Sequence, residues 1–169
     1  PNGEIYIVYS GRPPDKAMDD ADVYFVSSMD KGLTWSRPVK LNGDEGNALQ
    51  FLSAIDVDPK GNLHAMWLDT RDDKTRLRYH VYYTTSEDKG KTWGFEIKQI
   101  GQRVRDARVS DFPTNPNRAF PGGAFIGDYV AIKATGEDVY LIWPDGRLAE
   151  FGGYNQKIGF ARQRPINSP

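Results

Sequence analysis

The sequence contains no cysteine, which excludes disulfide bonds and thiolate metal sites but leaves the cellular compartment open. No apolar run approaches the roughly 20 residues that a bilayer-spanning helix needs, so no membrane span is expected. The net charge is −1, from 22 basic and 23 acidic residues, which does not favour nucleic acid or an anionic membrane as a partner. The only two histidines, His64 and His80, lie in strand-like segments, so neither a zinc site nor a Ser-His-Asp triad is predicted.

The chain does contain internal repeats, within 169 residues that match the length of one domain. Three segments align: PNGEIYIVYSGRP from Pro1, PKGNLHAMWLDTR from Pro59 and ATGEDVYLIWPDGR from Ala134. Each begins with a glycine-containing turn, continues as a run rich in β-branched and aromatic residues, and ends at an arginine in a polar loop. Runs that are apolar on both faces indicate strands buried on both sides.

Each repeat predicts a four-stranded antiparallel unit, with strands A to D, and no segment predicts a convincing helix. Such units are typical of β-propeller blades, so the fold class is predicted to be an all-β propeller. A β-sandwich is the alternative, although it would show a cleaner alternation of apolar and polar residues. The predicted partial propeller covers 1–169: blade 1 without its strand A at 1–41, blade 2 at 42–100 with strand D at 95–100, a long crossing loop at 101–127, and blade 3 at 128–169.

One eight-residue pattern, Ser-x-Asp-Lys-Gly-x-Thr-Trp, occurs twice after a predicted strand C. Its copies are SMDKGLTW at 28–35 and SEDKGKTW at 86–93. A short carboxylate two positions before a glycine can accept hydrogen bonds within its own turn, and glycine supplies the positive φ such a turn needs. A catalytic or metal-binding role is the alternative, but an active site is not expected to be duplicated at the same blade position. The motif is therefore predicted to be structural, through Ser28, Asp30, Gly32, Thr34, Trp35, Ser86, Asp88, Gly90, Thr92 and Trp93.

These residues resemble the Asp-box (BNR) repeat of sialidases and other propeller families. The resemblance implies six blades in the complete propeller, with each box in a C–D turn on the face opposite the active site. The third repeat lacks the box, because Gly159-Phe160-Ala161-Arg162 runs directly into a polar tail. We expect a secreted or cell-surface protein, with the periplasm as a further location.

About three blades are present in this chain, fewer than the four to eight of known propellers. The sequence starts at Pro1 without an initiator methionine, so we expect the remaining blades to come from a longer parent chain or from another chain. Without them, the outer blades would expose Trp, Tyr and Ile side chains. Two such arcs could close a six-bladed ring.

The B–C loops and the D–A crossings are predicted to share the face opposite the boxes, where loops on a rigid scaffold usually carry a site. Arginines at the same place in three units could converge on a carboxylate or sulfate, because each guanidinium offers a planar fork. Alternatively, the aspartates of two D-x-R sequences neutralise their own arginines. The candidate ligand-binding residues are Arg12, Asp69, Arg71, Asp145, Arg147 and Tyr154.

The sequence thus predicts part of a sialidase-like propeller that binds or acts on glycans through an acidic-sugar site on the loop face. The alternative is a non-catalytic protein-interaction or structural module. The resemblance implies a tyrosine nucleophile, a partner Glu, an acid/base Asp and three arginines, but the Arg-Ile-Pro element is missing and no catalytic residue is assigned. No cofactor is expected; calcium is considered only for the acidic clusters Asp19-Asp20-Asp22 and Asp72-Asp73, without EF-hand-like spacing.

Overall fold

The computed structural model describes residues 3–14, 19–97, 101–121 and 126–163. These residues form twelve β-strands and two short 3-10 helices, at Pro116–Arg118 and Arg147–Phe151, and they contain no α-helix. None of the helices in these ranges has the length and apolarity required to cross a bilayer. The described chain is therefore all-β, which confirms that part of the fold class predicted from the repeats.

Sheet 1 contains three antiparallel strands in sequence order: β1 (Ile5–Gly11), β2 (Asp22–Ser28) and β3 (Val39–Lys40). β1 pairs with β2 over its whole length and lies at the edge of the sheet. Residues 5–9 of β1 are apolar on both faces, and a strand buried on both sides was expected, but exposed and partly buried residues alternate along it. Tyr6 and Val8 pack towards sheet 2, whereas no described residue covers the face that carries Ile5, Ile7 and Tyr9.

Sheet 2 is the central sheet and has the strand order β4-β5-β6-β9. Its strands are β4 (Gln50–Val57), β5 (Leu63–Asp69), β6 (His80–Ser86) and β9 (Ala107–Arg108). A separate hairpin of β7 (Phe95–Ile97) and β8 (Gln102–Val104) lies between β6 and β9 in the chain. Every residue of β5 is buried, as its continuous apolar pattern predicts for a strand covered on both faces.

Sheet 3 contains β10 (Ala131–Ala134), β11 (Val139–Asp145) and β12 (Lys157–Gln163), again in sequence order. β12 pairs with β11 along its full length and lies at the edge. A Cβ at Gly159 would lie 2.3 Å from the ring of Trp143, so this glycine lets β12 pass close to the indole.

Two apolar clusters hold the three sheets together. One lies between sheets 1 and 2 and includes Phe25, Leu41 and Trp67; the other lies between sheets 2 and 3 and includes Met66, Tyr79, Leu141 and Trp143. Alternate residues of β5 therefore enter different clusters, Trp67 on one face and Met66 on the other. Sheet 2 is consequently covered on both faces, whereas sheets 1 and 3 are each packed on one.

One strand differs from the sequence prediction. Strand D of the second unit was predicted at 95–100, of which 98–100 lie outside the described residues, but β7 pairs with β8 and the strand beside β6 is β9. β9 lies inside the segment predicted as a crossing loop. The physical reason is Gly94, at φ +112°, where a Cβ would lie 2.3 Å from the Val104 carbonyl oxygen. This close backbone approach turns the chain away from β6 into the hairpin.

Candidate functional site

The first copy of the octapeptide forms a turn after β2 that satisfies its own carboxylate. Asp30 accepts hydrogen bonds from the Thr34 hydroxyl at 2.5 Å, the Thr34 amide at 2.8 Å and the Ser28 hydroxyl at 2.8 Å. The Gly32 amide, at φ +91°, donates to Ser28 Oγ at 2.8 Å. The hydrogen bonds that Asp30 accepts lower its pKa to about 2, and the bond from the Thr34 hydroxyl has the largest effect.

The second copy repeats the same bonds after β6. Asp88 accepts from the Thr92 hydroxyl at 2.7 Å, the Thr92 amide at 2.8 Å and the Ser86 hydroxyl at 2.8 Å, and the Gly90 amide donates to Ser86 Oγ at 2.9 Å. Both aspartates thus direct their oxygens into their own turns. This geometry is that of a turn-stabilising residue rather than of a group that faces a ligand.

The two tryptophans of the octapeptides lie in different surroundings. Trp93 is buried and meets the ring of Phe25 in sheet 1 edge-on, with the ring centroids 5.0 Å apart. Its indole N–H donates to the Gly90 carbonyl oxygen at 3.1 Å. Trp35, at the equivalent place in sheet 1, is 44 % exposed. The turn of sheet 2 therefore helps to join two sheets, and that of sheet 1 leaves its indole open.

Polar loops collect at the opposite end of the sheets, which we call the loop face. Arg71, in the loop between β5 and β6, contacts Asp106, which lies just before β9. The amide of Gly43, before β4, also donates to Asp106, at 2.7 Å. At the other end, the Lys89 and Glu4 side chains of two separate turns pair at 2.7 Å. These contacts separate the octapeptide turns from the loop face.

An open groove of about 560 Å³ runs along the loop face. Its volume falls in the usual range of small-molecule sites, roughly 300–1,000 Å³. Most of the residues that line it are polar or charged, and they come from the segment before β4 and the loop after β5, including Asp44, Asn47, Thr70, Arg71, Asp73 and Arg76. Side chains with several donors and acceptors suit a ligand that is rich in hydroxyl groups.

Arg71 is held on both sides by carboxylates of the protein. Its Nε and Nη2 donate to Asp69 at 2.9 and 2.6 Å, and its Nη1 and Nη2 donate to Asp106 at 3.0 Å each. The guanidinium carbon also lies 4.0 Å from the ring centroid of Tyr82. Burial opposes the charge, but the two carboxylates outweigh it and raise the pKa of Arg71. Arg71 therefore acts as a link between loops and has little capacity left for a ligand anion.

Further carboxylates surround this end of the groove. Asp44 lies 3.6 Å from Arg71 Nη2, and Asp72 accepts hydrogen bonds from Tyr82 and Arg108 at 2.9 and 3.2 Å. Asp44, Asp69 and Asp106 all lie within 4 Å of the Arg71 guanidinium, so the end of the groove beside Arg71 disfavours an anionic group. It suits neutral hydroxyls better.

Arg147 is less completely engaged than Arg71. Its Nε pairs with Asp145 at 2.7 Å, and its Nη1 lies 2.9 Å from Asp111 in the crossing segment. The Asp111 side chain is 79 % exposed, so solvent screens this second pair. No described residue accepts a hydrogen bond from Nη2 of Arg147. The D-x-R aspartates thus do bind their own arginines, but Arg147 keeps one edge open to a ligand.

The remaining candidate residues lie apart from these contacts. Arg12 is exposed and forms no ion pair with any described residue, and Tyr154 is exposed between the second 3-10 helix and β12. Neither residue lines the groove. Arg12, Arg71 and Arg147 share no acidic partner among the described residues.

The acidic clusters considered for calcium take part in ordinary protein contacts. Asp22 accepts from Asn42 at 2.7 Å and pairs with Lys40 at 2.7 Å, and Asp73 accepts from the Thr75 hydroxyl at 2.7 Å. Within the described ranges, no group of three or more His, Asp or Glu side chains is placed to hold a metal ion.

The two histidines are buried strand residues. His64 Nδ1 lies 2.6 Å from the Tyr83 hydroxyl, and His80 Nδ1 lies 2.8 Å from the Ser110 hydroxyl. Burial lowers the pKa of both histidines, which favours their neutral forms.

Asp106 has a role on the loop face that no sequence pattern indicated. Asp106 binds Arg71 through two hydrogen bonds although 35 positions separate them in the sequence. The spacing of residues near Arg71 or Asp106 in the sequence does not predict this pair. The only available signal was that a crossing segment and a B–C loop were expected on the same face.

Comparison with known proteins shows distant structural similarity and no sequence family. No protein-family model matches the chain, and neither does any curated protein. Among solved structures, the chain is similar to one titled "Hadza microbial sialidase Hz136", with 15% sequence identity and a TM-score of 0.49. The match covers 98% of this chain and 31% of that protein, so this chain spans less than a third of its length.

Proposed function

We propose that this chain is part of a sialidase-like Asp-box β-propeller, secreted or on the cell surface, whose loop face binds a glycan that carries a carboxylate. Three antiparallel sheets packed face to face, with the octapeptide turns at one end and polar loops at the other, support the propeller. The arrangement keeps the loops free for a ligand on a rigid scaffold.

The proposal rests on how completely protein carboxylates bind two arginines of the loop face, Arg71 and Arg147. Arg71 is bound by Asp69 and Asp106, whereas the acidic partners of Arg147 among the described residues are the largely buried Asp145 and the solvent-screened Asp111. A ligand carboxylate can replace Asp111 at low cost, because an exposed pair contributes little, about 0–1 kcal/mol. The acidic group of the glycan is therefore proposed to bind Arg147, with Arg71 as a positioning residue for the loops.

No catalytic residue is proposed. Burial raises the pKa of Tyr79, Tyr82 and Tyr83, so these phenols stay protonated and do not favour a nucleophilic role. A non-catalytic glycan-binding propeller is consistent with every described contact on the loop face.

The test is a titration of sialic acid, glucuronic acid and glucose, followed by calorimetry or NMR. We expect the two acidic sugars to bind more tightly than glucose. Arg147→Gln should weaken acidic-sugar binding by about 10- to 100-fold, because a hydrogen bond to a charged group contributes about 1.5–3 kcal/mol.

The matched control is Arg108→Gln, which removes another exposed arginine of the same face that pairs with Asp72. Its binding of all three sugars should equal that of the unsubstituted chain. Equal affinities for acidic and neutral sugars, or equal losses in the two variants, would contradict the proposed site.

A further inference from the structure

The strand register makes the three sheets directly comparable. β1 pairs with β2, β5 with β6 and β11 with β12 over seven residue pairs each, ending at Gly11–Asp22, Asp69–His80 and Asp145–Lys157. Residues at the same distance from these ends occupy equivalent places. By this rule Phe25 of sheet 1 corresponds to Tyr83 of sheet 2 and to Phe160 of sheet 3.

One face of each sheet, which we call the front, carries the same stacked pair across its two strands. The pairs have centroid distances of 6.0, 6.0 and 6.1 Å, and they are Tyr6–Phe25, His64–Tyr83 and Tyr140–Phe160. In sheets 1 and 2, the front packs on the next sheet, and Phe25 is only 1 % exposed. In sheet 3, Phe160 is 62 % exposed and Ile158 beside it is open as well. The front of sheet 3 has the residues of an interface but no sheet against it in the described chain.

The opposite face of each sheet, which we call the back, is also apolar, and in sheet 1 it is left open. In sheet 2 the back presents Leu63, Ala65 and Trp67, all fully buried against the front of sheet 1. The equivalent residues of sheet 1 are Ile5, Ile7 and Tyr9, and each is about 40 % exposed, because no described residue covers this face.

The tryptophan of each octapeptide shows which contact the back of sheet 1 and the front of sheet 3 could form. Trp93, on the turn of sheet 2, seats its indole against Phe25 on the front of sheet 1. Trp35 is the equivalent residue on the turn of sheet 1, and Phe160 is the equivalent of Phe25. Both are exposed, one at each end of the same chain. A single chain thus carries both halves of a contact that it already makes once internally.

We propose that a second copy of this chain docks on these two faces, head to tail, so that Trp35 of each copy packs on Phe160 of the other. The contact repeats the Trp93–Phe25 contact between sheets 1 and 2. Two copies related by a twofold axis make this contact twice and give six sheets in a closed ring, within the four to eight blades that propellers use. Closure leaves neither the front of sheet 3 nor the back of sheet 1 open.

The test begins with the mass of the chain in solution, measured by light scattering and sedimentation over a wide concentration range. We expect twice the mass of one chain. Ile7→Glu, on the back of sheet 1, and Phe160→Glu, on the front of sheet 3, should each give monomers. Both positions are exposed, so the variants should fold, and circular dichroism checks this. Phe151→Glu is the matched control, because Phe151 is exposed on the second 3-10 helix, outside both faces, and it should leave the dimer unchanged.

Mixing the two monomeric variants distinguishes head-to-tail docking from any other dimer. A mixed pair of Ile7→Glu and Phe160→Glu chains retains one contact in which both faces are unsubstituted. Dimers should therefore reappear on mixing, at least tenfold weaker than those of the unsubstituted chain, which make two contacts.

Cross-linking gives a readout that does not depend on destabilising the dimer. The sequence has no cysteine, so single Ile7→Cys and Phe160→Cys variants carry one thiol each. A short bifunctional thiol reagent should join the two variants to each other, and neither variant to itself. A monomer at all concentrations, an open-ended polymer, a Phe160→Glu variant that dimerises normally, or self-linking of either thiol variant would overturn the proposal.

Discussion

Individual carboxylates on the two ends of the sheets have different roles. Asp30 and Asp88 accept hydrogen bonds from their own turns, whereas Asp69 and Asp106 bind Arg71 across the loop face. The turn pattern was predictable, because the motif lies within eight residues and glycine and threonine follow at fixed offsets. The Arg71–Asp106 pair was not, because a contact over 35 positions is set by how the loops pack and not by local spacing.

The lowered pKa of Asp30 makes a prediction about acid stability. The folded chain holds the pKa of Asp30 at about 2, below the unfolded value of about 3.9, so its stabilising effect is present above about pH 4. It is lost as the pH falls from about 4 towards 2, because protonation weakens the bonds from Thr34. In urea titrations at several pH values, Asp30→Asn should lose less stability over this window than the unsubstituted chain.

Thr34→Val provides the second variant for this test, since it removes the hydroxyl that contributes most to the pKa of Asp30. It should flatten the same part of the pH profile. Sugar binding per folded molecule should be unchanged in both variants, because the turn lies away from the loop face. Parallel pH profiles for all three proteins would contradict the role assigned to Asp30.

Among the elements, the turns after β2 and β6 are the most regular and the strand after β6 is the least. The sequence predicted that the octapeptide follows the third strand of each unit, and it does follow β2 and β6. It also predicted a fourth strand directly after the second octapeptide, but the chain first forms the β7–β8 hairpin. Gly94 permits this hairpin, because a glycine can approach the Val104 backbone closely. That approach depends on tertiary packing, which an apolar strand pattern does not encode.

The turn after β6 also predicts a large difference between two glycines of similar conformation. Gly90 has φ +85° and Gly61 has φ +89°, so alanine at either position costs roughly 1–2 kcal/mol of backbone strain. A Cβ at Gly90 would lie 2.2 Å from the Phe25 ring, whereas a Cβ at Gly61 would meet nothing within 4 Å. Gly90→Ala should therefore lower the free energy of unfolding by about 1–3 kcal/mol more than Gly61→Ala.

Urea denaturation of the two glycine variants measures this difference. Gly61→Ala is the matched control, because it carries the same conformational cost without the clash. Equal losses of stability would show that the turn after β6 does not press against sheet 1.

Three similar sheets follow one another along the chain, and among the described residues only the middle sheet is covered on both faces. The repeats predicted this order, because each repeat has the same glycine turn and apolar run. The burial of each strand was less predictable, since the back of sheet 1 and the front of sheet 3 have the composition of buried faces but remain open. The residue composition of a sheet face indicates that it can be buried, but the composition does not indicate which element covers it.

Sheet 2 is sandwiched between sheets 1 and 3 in a front-to-back stack, and the other features of the fold depend on this arrangement. Amide hydrogen exchange, measured by mass spectrometry on the monomeric Phe160→Glu variant, tests this arrangement most directly. The amides of β5 and β6 should exchange more slowly than those of β1 and β12 by about tenfold or more, because they lie in interior strands of a covered sheet. Uniform protection across the four strands, or slowest exchange in β1 or β12, would contradict the stack.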